Sequence, residues 1–250
     1  MTRMTSSTAP DPAPTGRATL RAAIWGGAAI LAAASLIAGH PVVALGAAGA
    51  MTMAALLPLY TWLSGIVMPP GLATGILVYC LCAFGLGEAG GFYRDVPLWD
   101  VTLHALAAAV LALVGVALAL LPTAGAAPRT APWILGLLGV GFAALVGAAW
   151  EMFEFGIDAL FGTNAQRSGL PDTMGDIATN IAGATYGAIA AQRRLWRGTR
   201  LPLSTLLVRF LDRNPVIYGA WTGRRLALHA GPGTTHPVAR PAADQRESRP

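Results

Sequence analysis

Long apolar runs separated by short polar or proline-containing breaks dominate the sequence. Each run is close to the roughly 20 residues that a helix needs to cross about 30 Å of hydrocarbon. The pattern predicts an all-α polytopic membrane bundle of six transmembrane helices, over residues 20–38, 42–63, 71–88, 101–121, 132–155 and 175–192. The alternative for the first run is a signal peptide cleaved near residues 47–50, which the second run, following almost at once, disfavours.

The composition also favours a membrane protein. Hydrophobic residues make up 54% of the 250 residues and charged residues only 12%, against about 25% charged in a typical soluble domain. Charge is segregated, with a net +2 over residues 1–38, −5 over 39–192 and +8 over 193–250. Neither a recognition motif nor interleaved aromatic residues accompany the arginines of the basic end. We therefore expect membrane lipids as partners and no nucleic acid, and no protein partner is identifiable.

Basic residues at both ends of the apolar region predict the orientation of the chain. The positive-inside rule assigns these flanking arginines to the cytoplasmic side: Arg17, Arg21, Arg193, Arg194, Arg197 and Arg200. Two cytoplasmic ends require an even number of spans, and six satisfies this. Arg129 then lies in a cytoplasmic loop, and residues 89–100 and 156–174 lie outside. The absence of lysine and the abundance of alanine and glycine are typical of a GC-rich bacterial gene, so we expect a multi-pass protein of the bacterial inner membrane.

Four segments follow from these patterns. Residues 1–17 are predicted to be a disordered cytoplasmic arm, 18–192 the six-helix transmembrane domain, 193–229 a basic juxtamembrane segment and 230–250 a disordered tail. Within the juxtamembrane segment, one helical stripe is apolar, as in a helix that lies in the inner membrane interface: Leu203, Leu206, Leu207, Phe210 and Leu211.

Acidic residues at the ends of apolar spans need an explanation, because a charge is costly to desolvate. Spacings of three or four residues place polar side chains on one face of each of three helices: Asp100 and His104 on the fourth, Glu151, Glu154 and Asp158 on the fifth, and Asp172, Asp176 and Asn180 on the sixth. In the predicted orientation all three stripes lie at the outer ends of their helices. We therefore expect them to converge.

Carboxylates and one imidazole form a ligand set that suits Mg²⁺, Mn²⁺, Ca²⁺ or Zn²⁺. The predicted ligands of a divalent metal of undetermined identity are Asp100, His104, Glu151, Asp158, Asp172 and Asp176. Glu154 is the predicted general base. The alternatives are acids that cap helix N-termini, ion pairs with arginine, and carboxylates kept protonated.

The stripes favour a metal-dependent activity on a lipid or lipid-linked envelope substrate. A cation- or proton-coupled transporter is a second hypothesis, and a non-catalytic membrane scaffold is a third. Transporter sites usually lie near the bilayer midplane, whereas the acids here crowd one end of the helices. Whether the chain is an enzyme stays open at this point.

Three segments together resemble a known group of proteins: FYRDVPLWDVTLHAL (92–106), WEMFEFGIDALFGTNAQ (150–166) and DTMGDIATNIAGA (172–184). The group consists of uncharacterised bacterial membrane proteins of the YjdF type and, more distantly, the VanZ-like proteins. The shared pattern is an Asp four residues before a His, then Trp-Glu-x-x-Glu, then Asp-Thr-x-x-Asp. The resemblance covers about residues 75–192. It implies a polytopic membrane protein connected with the cell envelope and implies no particular reaction.

Overall fold

Helices make up the regular structure of the described chain, which contains no strand. The structure, a computed structural model, describes residues 14–218 except 124, 125, 127 and 129. Residues 1–13 of the predicted arm, Arg129 and the predicted tail over 230–250 lie outside the described residues. The predicted all-α class is confirmed for the part that is described.

The described residues form α1 (Pro14–Ile37), α2 (Pro41–Ser64), α3 (Leu72–Cys80), α4 (Phe92–Asp95), α5 (Trp99–Leu120), α6 (Pro132–Phe161), α7 (Leu170–Arg197), α8 (Ser204–Arg213) and α9 (Pro215–Tyr218). A π-helical segment, Leu81–Ala89, continues α3. Residues 14–17 of the predicted arm are helical, which corrects the boundary; a helix tolerates proline in its first turn, where the missing N–H would have no partner anyway.

Five helical segments are long and apolar enough to cross a membrane: Gly16–Ile37, Val43–Ser64, Leu72–Ala89, Trp99–Thr123 and Pro132–Phe161. They coincide with the first five predicted spans. The sixth predicted span corresponds to α7, which is less apolar because Asp172 and Asp176 lie at one end and Arg193 at the other. Large apolar side chains such as Trp62 and Leu145 are exposed on the helix surfaces, as expected for contact with lipid.

Small residues allow the helices to pack closely in two groups. In the first group, α1, α2 and α3 meet around Ala28, Ala50 and Ala54. In the second group, α5, α6 and α7 meet around Ala108, Ala143 and Ala184. Alanine and glycine at such interfaces let backbones approach, which is the usual means of helix association in membranes.

The contact between α5 and α7 is closest at two glycines. A Cβ atom on Gly183 would meet the backbone of Ala105, and a Cβ on Gly187 would meet the backbone of Ala109. These glycines are therefore packing residues. Their contacts fix the rotation and height of α7 relative to α5, and with them the positions of the polar residues one to two turns away.

The segment after α7 packs on the protein. Leu207 and Leu211 of α8 are buried against α5, α6 and α7, so the apolar stripe predicted for the membrane interface contacts the bundle. Asn214 follows α8 and binds the loop between α2 and α3: its Oδ1 accepts from the Val67 N–H at 2.8 Å and its Nδ2 donates to the Val67 carbonyl at 2.9 Å. This pair joins the two groups of helices.

Candidate metal centre

Asp100 and His104 form the first part of the candidate site, in the first turns of α5. The helix begins after Leu98, whose φ of 61° is uncommon for a residue other than glycine. His104 Nε2 lies 3.5 Å from Asp100 Oδ1. This separation is longer than the roughly 2.7–3.2 Å of an N–H···O hydrogen bond. The two groups therefore face each other without a direct hydrogen bond.

Asp176 of α7 approaches the same imidazole from the opposite helix. Its Oδ2 lies 3.8 Å from His104 Nε2, and its side chain is buried. One ligand atom each from Asp100, His104 and Asp176 lies within 4.8 Å of the other two. The fourth and sixth predicted helices thus bring their polar stripes together, as expected from the spacing and the common end.

Glu151 adds a buried carboxylate from α6. Only 4% of the residue is exposed, and neither carboxylate oxygen makes a hydrogen bond of ordinary geometry among the described residues. The Thr173 hydroxyl is a hydrogen-bond donor close to it, and His104, Asp172 and Asp100 are its neighbours, so Glu151 lies beside the group of three without belonging to it. A buried carboxylate in this situation is unfavourable unless a proton or a cation neutralises it.

The contact between α6 and α7 supports this arrangement one turn deeper. The Asn180 amide lies against Gly147, where a Cβ would stand 2.8 Å from the Asn180 Nδ2. Gly147 precedes Glu151 by four residues, and Asn180 follows Asp176 by four residues. The close approach at Gly147 therefore brings Glu151 toward the stripe of α7 that carries Asp176.

Glu154 and Asp172 lie beside the central group. Trp150 Nε1 donates a hydrogen bond of 2.9 Å to Glu154 Oε1, and the charges of Glu151, His104 and Asp176 act on Glu154. Asp172 is half-buried at the start of α7, where the charge of Asp100 acts on it. Both residues are thus electrostatic neighbours of the group formed by Asp100, His104 and Asp176.

Asp158 organises the loop after α6. Its Oδ1 accepts hydrogen bonds from the Thr163 hydroxyl at 2.6 Å and the Ala165 N–H at 2.7 Å, and its Oδ2 accepts one from the Gln166 N–H at 2.9 Å. These bonds stabilise the turn out of the helix. The structure does not bring Asp158 into the group that contains His104.

One protein-family model matches most of the chain. The family model described as "Predicted membrane protein (DUF2238)" matches residues 20–197. The chain belongs to this family. The match extends from Leu20 within α1 to the end of α7 and includes the candidate site, and the protein is therefore a membrane protein. No curated protein and no solved structure matches the chain.

This membrane protein also has a group of contacts beside the site that no sequence pattern predicted. The Arg167 guanidinium lies over the Tyr93 ring, 3.7 Å from its centroid, and Arg167 Nη2 lies 3.1 Å from Glu88 Oε2. Burial raises the pKa of the Tyr93 hydroxyl, and the nearby Asp100 carboxylate raises it further, so the side chain stays neutral. Arg167 and Glu88 are 79 residues apart, and no spacing rule connects them. Their only signal was opposite charge, at the predicted outer end of the third span and in a loop predicted to lie on the same side.

Proposed function

We propose that the chain crosses the bacterial cytoplasmic membrane six times, with both ends in the cytoplasm, and that α7 is the sixth span. The packing of α7 against both α5 and α6 supports this, because its polar residues Asp176 and Asn180 are buried against protein. A helix whose polar stripe is covered by neighbours can cross the bilayer despite a lower mean hydropathy. Arginines in the first turns of α1, Arg17 and Arg21, and in the last turn of α7 support the orientation.

The candidate site then lies at the outer ends of α5, α6 and α7. We infer that Asp100, His104 and Asp176 bind a divalent cation and that Glu151 is a fourth ligand. The observation that carries this inference is the group formed by Asp100, His104 and Asp176, with Glu151 buried beside it and making no hydrogen bond of ordinary geometry among the described residues. A divalent cation would offset the repulsion among these carboxylates and neutralise the buried charge.

The separations between the ligand atoms are compatible with a shared ion. With a metal–ligand distance of about 2.1 Å, as for zinc, the 3.5 Å between His104 and Asp100 subtends about 113°. With about 2.4 Å, as for calcium, it subtends about 94°. The 3.8 Å between His104 and Asp176 subtends about 130° at the shorter distance and about 105° at the longer one. The described separations are therefore closer to regular coordination at the longer metal–ligand distance.

The activity that we propose is metal-dependent chemistry on a lipid or lipid-linked envelope substrate. In the proposed orientation the site lies at the outer ends of three helices, where Asp100 keeps 28% of its side chain exposed, so a headgroup would reach it while the acyl chains stay in the bilayer. A bound ion would polarise a phosphoryl or carbonyl oxygen of such a headgroup. Glu154, next to the ligand cluster, is the proposed general base. The resemblance to YjdF-type and VanZ-like proteins agrees with an envelope role.

Elemental mass spectrometry of the detergent-purified protein tests the metal site. We expect close to one divalent ion per chain in the wild type after incubation with Mg²⁺, Mn²⁺, Ca²⁺ and Zn²⁺ in turn. His104→Ala and Asp176→Asn should each lose it. Asp95→Asn is the matched control, because Asp95 is an exposed acid outside the cluster whose carboxylate pairs with Arg94. A metal-free wild type would overturn the site and favour a proton-coupled or structural role for the acids.

A second experiment tests the activity. The metal-loaded protein is incubated with a total lipid extract of bacterial envelope, and the lipids are followed by mass spectrometry. We expect a species to be consumed by the wild type and not by Glu154→Gln that still holds metal. Metal binding without any change in the lipids would separate the metal site from the proposed chemistry and favour cation handling or a scaffold.

A further inference from the structure

A cleft in the first helix group, at the end of the bundle away from the candidate metal centre, is lined by a second, independent set of polar residues. It lies between α1 and α3, has a volume of about 360 Å³ and is open rather than enclosed. Both helices begin there, since the first and third apolar segments start at Gly16 and Leu72. The cleft is therefore at a membrane interface, with its deeper part beside hydrocarbon.

The polar wall of the cleft is positively charged. Arg17 and Arg21 lie four residues apart on α1 and so share a face. Arg21 Nη2 reaches to 3.8 Å from where a Cβ on Gly71 would stand, so its guanidinium lies at the beginning of α3. None of the described residues that line the cleft is acidic.

The first turn of α3 adds hydrogen-bond donors to this charge. Gly71 is the N-cap residue, and no side chain caps the helix. The Leu72 N–H donates to the Pro69 carbonyl and the Gly75 N–H to the Gly71 carbonyl, so the N–H groups of Ala73 and Thr74 are the ones available to an anion. The Thr74 hydroxyl is held at the cleft wall by Trp25, whose Nε1 is 3.4 Å from the Thr74 Oγ1. Arginine, threonine and a helix N-terminus together form a phosphate-binding set.

The deeper wall is apolar. Leu20 and Ile24 of α1 and Val78 of α3 line it, and Leu20 is largely exposed. Val78 lies six residues beyond the start of α3, or about 9 Å further along the helix axis. A ligand that fills the whole cleft must therefore have an anionic group at one end and hydrocarbon at the other.

We propose that this cleft binds the phosphate headgroup of an anionic glycerophospholipid, with the acyl chains along Leu20, Ile24 and Val78. Arg17, Arg21 and the first turn of α3 bind the phosphodiester. In the proposed orientation the lipid belongs to the cytoplasmic leaflet. The site is separate from the His/carboxylate cluster and does not depend on the function proposed for it.

Native mass spectrometry of the full-length protein in neutral detergent tests the proposal. The probes are dioleoyl phosphatidylglycerol, dioleoyl phosphatidylcholine and soluble glycerol 1-phosphate. We expect one phosphatidylglycerol to be retained in preference to the other two probes. The double variant R17Q/R21Q should weaken its binding by about fivefold for each arginine, equivalent to about 1 kcal/mol each.

Two further variants keep the test independent of folding. Gly75 lines the cleft in an ordinary helical conformation, and a Cβ there would meet nothing within 4 Å, so Gly75→Leu should occlude the cleft without disturbing the bundle. Gly141→Leu is its control, because Gly141 of α6 is equally free of neighbours. R193Q/R197Q controls for charge, since these arginines are exposed and also four residues apart.

Specific outcomes would overturn the proposal. Equal losses in R17Q/R21Q and R193Q/R197Q would mean diffuse attraction of basic residues to anionic lipid. Unchanged phosphatidylglycerol binding in Gly75→Leu would place the lipid elsewhere. If glycerol 1-phosphate bound as tightly as the lipid, the acyl chains would contribute nothing to binding, and the cleft would be a simple anion site.

Discussion

Gly183 lies directly against the backbone of Ala105, and no side chain fits between them. Ala105 follows His104, and Gly183 lies two turns beyond Asp176 on α7. The absence of a Cβ at one position thus determines how closely the helices that carry two proposed ligands approach each other.

We expect Gly183→Ala to lower the free energy of unfolding by about 1–3 kcal/mol, because the added methyl group forces α5 and α7 apart. Metal affinity should fall as well, although no ligand is changed. Gly175→Ala is the control: a Cβ at Gly175 in α7 would meet nothing within 4 Å, and the substitution should raise stability by about 0.5–1 kcal/mol. Thermal unfolding and metal content check both. An unaffected Gly183→Ala protein would refute the packing argument.

Asp158→Ala should destabilise the protein by about 1–3 kcal/mol while leaving metal content unchanged. The carboxylate accepts three hydrogen bonds from the loop after α6, and its removal leaves two backbone N–H groups without that partner. Unfolding in detergent and elemental analysis measure the two effects. Loss of metal with full stability would return Asp158 to the ligand set that the sequence predicted.

Arg167→Ala should accelerate hydrogen exchange in the loop over residues 162–169, by about fivefold if the contact with Tyr93 is worth about 1 kcal/mol. Glu88→Gln should have little effect, because 64% of the Glu88 side chain is exposed and such ion pairs contribute little. Hydrogen exchange with mass spectrometry compares the two. An equal effect of both variants would assign the loop's order to the ion pair rather than to the ring.

Asn214→Ala should lower the free energy of unfolding by about 2–4 kcal/mol and expose the loop between α2 and α3 to protease. The Asn214 side chain makes two hydrogen bonds with Val67 and donates a third to the Phe210 carbonyl at 2.7 Å. Asn214→Asp should be at least as damaging, since an acceptor would replace the amide that donates to two carbonyls. Thermal unfolding and limited proteolysis measure this. A stable Asn214→Asp protein would contradict the role of the amide.

The sequence predicted the positions of the helices well, because long apolar runs bounded by proline or glycine leave few alternatives. The fifth predicted span ended at residue 155, whereas α6 continues to Phe161; Asp158 is still helical and accepts hydrogen bonds from the loop that follows, so it does not end the helix. The π-helical turns at Leu81–Ala89 had no signal in hydropathy. The stripe of α8 was correctly located, but apolarity alone does not distinguish contact with lipid from contact with protein.

The candidate site was predictable in part. The spacing between Asp100 and His104, and the common end that they share with Asp176, predicted the central group. The rotation of each helix about its own axis could not be predicted from the sequence, since it depends on contacts between helices such as that of Gly183 with Ala105. The spacing also could not separate Asp158 from the other acids, because an acid that organises a loop and an acid that faces the cluster can share a helical stripe.

The bond between Asn214 and Val67 also bears on how the protein is made. The two residues are 147 positions apart, so at roughly 5–20 residues per second the ribosome needs about 7–30 s to synthesise the intervening chain. Over that interval the loop after the second helix has emerged and its partner has not. This link between the two helix groups can therefore form only at a late stage of biogenesis, after the chain up to Asn214 has been synthesised.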